Sequence, residues 1–287
     1  MSFLLVQDII KMGIKQLTDA GIDDPKGNAE ELYCYLKRVD RARFFLEWSE
    51  SADDRTCEQF FDLIALRCKH VPLQHLTGSQ EFMGLKFKVD PEVLIPRMDT
   101  EVVALAAELL IKEKKRDTLL DLCCGSGILG ISLAKRCGVK VTATDINPAA
   151  KALTEINANT HGVKMTVLLG DLYGPIKNKK YHIIVSNPPY IPQAVIPTLM
   201  AEVKDYEPMN ALDGGCDGLD FYRRIIAEAP EHLKKEGALV LEIGHDQGEA
   251  VCRLMEETGC FTEINIATDL AGKDRVVSGK LMGKKKK

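Results

Sequence analysis

The sequence contains no unbroken apolar run of about 18 residues, so no membrane-crossing helix is expected. A secretory leader is not expected either. Met1 to Ile10 is apolar, but Gln7 and Asp8 interrupt it and no basic stretch precedes it. An excess of basic charge is also missing. Lys and Arg number 38 against 42 Asp and Glu, a net charge of -4, which argues against a surface that grips long stretches of nucleic acid by neutralising phosphates. The nine cysteines form no Cys-x-x-Cys pair and no Cys/His cluster with zinc spacing. They read as free thiols in a reducing, cytoplasmic setting, with no metal expected.

What is present is enough apolar residue to build a core: 45% of 287 residues, a length that divides naturally into two domains. Residues 1–75 read as a small helical bundle. Leu4, Ile9, Ile10, Ile14 and Leu17 recur at helical spacing, as do Ala29, Leu32, Tyr33 and Leu36, and Phe60, Phe61, Ile64, Leu66 and Cys68. Gly21, Asp24-Pro25 and the polar cluster at 49–54 mark the breaks. Residues 76–95 form a linker whose segment Glu81 to Val89 alternates around Gly84 and predicts a β-hairpin. Residues 96–287 then repeat strand, turn and helix. Strands are expected at Thr118–Cys123, Lys140–Thr144, Met165–Leu169, Ile183–Val185, Ala238–Ile243 and Thr262–Ala267, with a last one at Val276–Gly279. Helices are expected at Thr100–Lys112, Gly130–Arg136, Pro148–Asn159, Gly218–Leu233 and Gly248–Glu257. The fold class is therefore α/β, a Rossmann-like, mostly parallel sheet with helices on both faces. The Lys284–Lys287 tail reads as a solvated end.

Thr118 to Cys123 is a short apolar strand that runs into Cys124-Gly125-Ser126-Gly127 and then a helix. Glycines there let a backbone approach a ligand at the carboxyl end of a strand, where open α/β sheets bind nucleotides. Asp145 closes the next strand, in the place where a carboxylate accepts from ribose hydroxyls, with Ile146 beside it. Gly130 completes a Gly-x-Gly-x-x-Gly spacing, so a dinucleotide stays open on that motif alone. Asp121, just ahead of the glycines, would repel a pyrophosphate but suits the ammonium and sulfonium of S-adenosylmethionine. Asp171 and Leu172, after the third strand, are candidates to hold the adenine amino group and pack its ring; a self-capping turn is the plainer use of Asp171.

The fourth strand ends in Asn187-Pro188-Pro189-Tyr190. Two prolines fix φ and remove backbone donors, which leaves carbonyl oxygens to accept from something else. Asn187 adds a side-chain acceptor, and Tyr190 offers a face for a flat group. Convergent acceptors beside an aromatic suit an NH2 on a planar carbon. No base with a pKa of about 6.5 deprotonates an amide first. Two hydrogen bonds can instead pin the NH2 and turn its lone pair toward a methyl group. Holding the reactants in line supplies roughly 7–11 kcal/mol, more than the hydrogen bonds themselves at about 1–3 kcal/mol each. The same logic serves a glutamine amide and the adenine amino group of DNA, which would be flipped out for the reaction. Both stay open at this point, as does a cofactor-binding scaffold without turnover. The acidic balance leans toward a protein substrate, and intact Asn187 and Asp145 lean against the scaffold.

Taken together, these segments resemble the release-factor glutamine N5-methyltransferases, the PrmC/HemK family, across nearly the whole chain. The likeness is carried by Pro72 to Gly78, Glu81 to Leu85, Leu94 to Glu101, Asp121 to Gly127, Ser186 to Pro192, Tyr206 to Pro208, Ala211 to Gly215, Asp217 to Tyr222 and Asp269 to Gly272. The resemblance implies methyl transfer from S-adenosylmethionine, with S-adenosylhomocysteine as product, to the glutamine of the Gly-Gly-Gln motif in class 1 peptide chain release factors. It implies that Asn187 and the Pro188 carbonyl bind that amide, with Pro189 and Tyr190 beside them. Ile95, Pro96 and Arg97 would wall the site, a surface or inter-domain ion pair being the other use of Arg97 and Glu101. The helical domain would help grip the factor. A ribosomal-protein glutamine methyltransferase is the near alternative, and Ala211 to Gly215 leans toward the release-factor branch. No membrane and no sequence-specific nucleic acid are expected as partners, and the chain is taken as a monomer. The departures from the family pattern are Cys123-Cys124 for Gly-Thr, Met98 for Pro, and Met209-Asn210 for Arg and an apolar residue. A thiol at 123 or 124 would be open to alkylation or oxidation.

Overall fold

The computed structural model describes residues 4–283, and the Lys284–Lys287 tail lies outside them. The chain divides into two units, and the division departs from the expected boundaries. The smaller unit takes residues up to Ser79 together with a returning segment, Met200–Tyr206; the rest forms the larger unit. The hairpin expected as a linker therefore belongs with the larger unit.

The smaller unit contains α1 (Val6–Asp19), α2 (Pro25–Lys37), α3 (Arg41–Glu47), α4 (Asp54–Arg67) and α5 (Leu73–Thr77). Val6, Ile9, Ile10, Gly13 and Leu17 form the buried stripe of α1. A Cβ on Gly13 would lie 2.9 Å from the Phe60 ring, so this glycine is what lets α1 and α4 cross closely. The expected break at Asp24-Pro25 is the start of α2: Asp24 accepts from the Gly27 N–H at 3.0 Å, and Pro25 occupies the first turn, where its missing N–H has no bond to lose. Asp53 caps α4 in the same way. Leu4 and Leu66, at helical spacing in the sequence, point outward instead.

Arg67 is the polar centre of this unit, with only 4% of its side chain exposed. Its Nε donates to Asn28 Oδ1 at 2.7 Å, its Nη1 to the Val71 carbonyl at 3.1 Å and its Nη2 to Glu202 Oε1 at 2.5 Å. The Tyr206 hydroxyl donates to the Lys69 carbonyl at 2.8 Å. These bonds hold the returning segment, which carries one helical turn at Ala201–Lys204, against α4 and the residues that follow it.

The larger unit opens with the hairpin β1 (Ser79–Phe82) and β2 (Leu85–Lys88). Met83 and Gly84 both adopt positive φ, as a two-residue hairpin turn requires. Glu101 accepts from the Met83 N–H at 2.6 Å, which holds the non-glycine residue there. Then follow α6 (Thr100–Glu113), β3 (Thr118–Leu122), α7 (Ile128–Cys137), β4 (Lys140–Asp145), α8 (Pro148–Thr160), β5 (Thr166–Leu169) and β6 (Tyr181–Ser186). The returning helical turn Ala201–Lys204 is α9. The chain ends with α10 (Asp220–His232), β7 (Leu233–Glu242), α11 (Gly248–Glu257), β8 (Phe261–Thr268) and β9 (Asp274–Leu281).

Seven strands form one sheet in the order β5-β4-β3-β6-β7-β9-β8, parallel from β5 through β7, with β9 antiparallel to both its neighbours. Alternate residues of each strand feed two cores. Leu119, Val141, Ile183, Val185 and Val240 face α6 and α7, and Leu120, Leu122, Ile184, Leu239 and Leu241 face α10 and α11. Both faces are covered, which is why β3 and β6 read as mostly apolar runs. Each expected strand and helix is present with ends shifted by a few residues. The largest shift is in β7, which starts at Leu233, directly after α10, with Glu236 at positive φ and a register irregularity opposite Tyr181/Ile183. The chain runs outward from β3 to β5 and then returns to β6 on the other side of β3, and a crevice opens at the strands' carboxyl ends where that order reverses.

Candidate active site

Beyond Leu122 the backbone turns into the left-handed region at Cys123, Gly125 and Gly127, with φ of 55°, 54° and 82°. Two acids hold this loop. Asp145 Oδ2 accepts from the Gly125 N–H at 2.9 Å, and its Oδ1 accepts from the Asn147 N–H at the same distance. Asp121 Oδ2 accepts from the Gly130 N–H at 2.9 Å. The Thr154 hydroxyl donates to the Gly125 carbonyl, and Asn157 Nδ2 to the Ser126 carbonyl. A Cβ on Gly130 would lie 2.9 Å from Val141 and 3.0 Å from Asp121 Oδ2, so this glycine lets α7 and its N–H reach the acid. Gly130 thus serves the packing of helix on strand, and the loop's acids are turned inward.

The loop borders a cavity of about 360 Å³, within the range of small-ligand sites. Of the candidate residues from the sequence, Arg97, Asp121, Cys123, Cys124, Gly125, Ser126, Asp145, Ile146, Asp171, Leu172, Asn187 and Pro189 line it. Gly127, Pro188 and Tyr190 do not. Gly127 is instead pressed against Thr154 and Ile131, where a Cβ would sit within 2.9 Å of both. Burial first and then the nearby buried Glu242 raise the pKa of the Tyr190 phenol, which places its hydroxyl beside that acid.

Asp121 is 1% exposed, and its Oδ1 has no hydrogen-bond partner among the described residues. Burial pushes its carboxyl up to about 7. A buried acid with a free oxygen on a ligand cavity is poised for a cation. The remaining walls suit a nucleoside: Asp145 keeps lone pairs beyond its two backbone bonds, and the exposed Ile146 side chain borders the same space. The donor set therefore fits S-adenosylmethionine.

Two of the expected ligand residues on the cavity wall also carry ion pairs. Asp171 pairs with Arg224, whose guanidinium lies 5.8 Å from the Phe221 ring centroid. Arg97 Nη2 donates to Glu207 Oε2 at 2.6 Å, and Glu207 Oε1 also accepts from the Ile95 N–H at 3.3 Å. That bond makes Arg97 a brace for the Ile95-Pro96-Arg97 wall. Burial and nearby carboxylates raise both the Cys123 and Cys124 thiols, which keeps them protonated and unreactive. Phe221, Arg224 and Thr100 also line the cavity and were not singled out in the sequence. The only local sign of the first two was their spacing of one turn at the start of α10.

At the end of β6 the Ser186 hydroxyl donates to the Leu122 carbonyl at 2.8 Å, and Asn187 Nδ2 donates to Thr100 Oγ1 at 3.4 Å. The Asn-Pro-Pro-Tyr turn is clasped by the segment 211–218. Gly214 donates to the Ile191 carbonyl at 2.9 Å, and a Cβ there would lie 2.7 Å from the Tyr190 Cα. A Cβ on Gly218 would lie 2.3 Å from the Tyr190 carbonyl oxygen, which also accepts from Gln247 Nε2 at 2.9 Å. The turn is thus held from several sides with its asparagine toward the cavity.

Comparison with known proteins follows the same division of the chain. Residues 8–78 match the PrmC N-terminal domain, and residues 96–203 match the methyltransferase small domain. A protein of Geobacter sulfurreducens named release factor glutamine methyltransferase is 40% identical over 92% of this chain and 93% of its own. One of the same name from Moorella thermoacetica is 41% identical over 91% and 93%. Among solved structures, a methyltransferase from Pyrococcus furiosus superposes with a TM-score of 0.52 at 16% identity, covering 69% of this chain and 89% of its own. The hMettl16 catalytic domain does so with a TM-score of 0.57 at 14% identity, covering 77% and 82%. At such identities the two structures speak for the fold alone.

Proposed function

The chain belongs to the release factor glutamine methyltransferase family, and on that premise we propose that it methylates the side-chain amide nitrogen of the glutamine in the Gly-Gly-Gln motif of class 1 peptide chain release factors. S-adenosylmethionine is the cofactor and supplies an electrophilic methyl group. The observation that carries the reading is the placement of Asn187: at the carboxyl end of β6, on the same cavity as the unpartnered Asp121 oxygen, with its amide nitrogen already engaged by Thr100.

With Nδ2 bound to Thr100, Asn187 Oδ1 is the atom left to accept from an incoming NH2. We assign the second acceptor to the Pro188 carbonyl. Two acceptors fix the plane of the amide and leave its nitrogen facing the cavity. Asp121 and Asp145 position the cofactor, and the buried apolar walls exclude water from the reacting atoms. No side chain has to remove a proton beforehand. The nitrogen becomes strongly acidic only after the methyl arrives, and it gives up its proton to water when the methylated side chain leaves the site.

The helical unit, which matches the PrmC N-terminal domain, offers a surface for the release factor, with Phe45 and Leu46 both exposed. No helix among the described residues is long and apolar enough to cross a membrane. A monomer working in the cytoplasm, without sequence-specific nucleic-acid recognition, completes this reading. It is supported by the free cysteines and the net charge of -4.

Labelled S-adenosylmethionine tests the proposal with a class 1 release factor, its Gln→Ala variant in the Gly-Gly-Gln loop, a ribosomal protein mixture and DNA as acceptors. Label in the intact factor alone is expected. Equal label in the variant, or label in DNA or ribosomal protein instead, would overturn the assignment.

A further inference from the structure

The Asn187 amide can face the cavity either way round, and only one way presents an acceptor. What decides between them lies behind the wall. Ser186 pairs with Leu241 in the parallel β6–β7 register, so Asn187 and Glu242 are the next residues outward on adjacent strands. Thr100 enters from the first turn of α6 and is fully buried, and Glu242 is 1% exposed. Burial raises the Glu242 carboxyl to about 7, and the Thr100 and Tyr190 hydroxyls beside it act against that rise, as donors to its ionised form would. Its Oε2 has no hydrogen-bond partner among the described residues. Arg275, which pairs with Asp99 and Asp269 at 3.1 Å, lies near enough to act on it electrostatically.

The direction of each bond follows from the donors available. A threonine hydroxyl has one proton. Above about pH 7, where Glu242 is ionised, that proton goes to the carboxylate and leaves Thr100 Oγ1 only as an acceptor toward Asn187. Of the two ends of the asparagine amide, only Nδ2 can donate to it, and the observed bond of 3.4 Å has that sense. The acid also takes the Tyr190 phenol and so fixes the far end of the Asn-Pro-Pro-Tyr turn.

We propose that Glu242 is a positioning residue which, acting through the Thr100 hydroxyl, sets the orientation of the Asn187 amide so that Oδ1 faces the substrate nitrogen. This rests on the glutamine-methylation reading above and adds the residues that make its acceptor directional. In Glu242→Gln the new NH2 can donate to Thr100 Oγ1, and Thr100 then turns its own proton to Asn187 and reverses the amide. The substrate NH2 would then meet a donor, an arrangement that costs orientation and leaves the cofactor site intact.

The test compares Thr100→Val, which keeps shape and removes the hydroxyl, with Thr100→Ser and Glu242→Gln, each with an independently measured melting temperature. Losing one orienting hydrogen bond should lower kcat on the release factor about tenfold in Thr100→Val and Glu242→Gln, while KM for the factor and cofactor Kd move less than about threefold. Thr100→Ser should recover most of the rate. The double variant should lose no more than Thr100→Val alone, because the two act in one chain of hydrogen bonds. Multiplicative losses, or an undiminished kcat in Thr100→Val, would overturn the role. If Thr100→Val does not fold, Glu242→Gln decides on the same kcat and KM criteria. Wild-type turnover on the factor is the control: its absence counts against the substrate assignment, and its survival in Thr100→Val counts against the positioning role only.

Discussion

Replacing Asp121 by Asn should make the empty protein more stable and the cofactor complex weaker. Burial raises the Asp121 carboxyl from the ordinary 3.8 to about 7. The unfolded chain ionises this group from about pH 4 upward, while the folded state keeps its proton to near pH 7. Between those values the folded state binds more protons, so its stability falls as pH rises, and the full penalty applies above pH 7. At 1.36 kcal/mol per unit the penalty approaches about 4 kcal/mol. Asn stays neutral and avoids it, and its Oδ1 can still accept from the Gly130 N–H. Its Nδ2, however, points a donor where the carboxylate had met a cation. We expect Asp121→Asn to gain about 2–4 kcal/mol over wild type in urea unfolding at pH 8, with the gain shrinking below about 1 kcal/mol at pH 4. Calorimetric affinity for S-adenosylmethionine should fall about 10–100-fold, the loss of a charge-assisted contact worth about 1.5–3 kcal/mol. A variant less stable than wild type at both pH values would show that the carboxylate is not under strain. Unchanged cofactor affinity would remove Asp121 from the ammonium-binding role.

Asn187→Ala should lower kcat on the release factor by about 100-fold or more while cofactor Kd stays within about threefold; loss of cofactor binding alone would reassign the residue. At position 123, where φ is 55°, Cys→Gly should be more stable than Cys→Ala by about 1 kcal/mol in chemical denaturation, because the alanine keeps the left-handed strain that glycine lacks. The reverse order would rule out that backbone conformation. Arg67→Ala should cost about 3–5 kcal/mol in unfolding free energy, since it strips Asn28, the Val71 carbonyl and Glu202 of their shared partner. A loss below about 1 kcal/mol would show that water replaces it freely.

Much of the architecture was legible because its signals are local. The stretches 118–122 and 181–186 are strands buried on both faces, and such burial leaves a mostly apolar run in the sequence. The hairpin was visible in the alternation around Gly84, and the start of α2 in Asp24-Pro25. Gly125, Gly127, Asp145 and Asn187 stood out for the same reason, since each sits where a strand gives way to a turn. The elements with no period of their own escaped: the early start of β7 and the return of Met200–Tyr206 to the helical unit, which Arg67 and Lys69 hold from far along the chain. The neighbour of the Tyr190 hydroxyl was equally hidden, because Glu242 is brought beside it only by the next strand of the sheet.

The Asn-Pro-Pro-Tyr turn marks the boundary between the two kinds of information. Its position after the fourth parallel strand, its acceptor chemistry and the acid-flanked glycine loop nearby follow from residue types and short spacings, which sequence alone carries. Which atom of Asn187 faces the cavity does not. It depends on Thr100, Asn187 and Glu242, residues from a helix and two strands far apart in the chain, meeting in one register with one proton to share. The direction of a hydrogen bond belongs to a network, and only the packed sheet brings this one together.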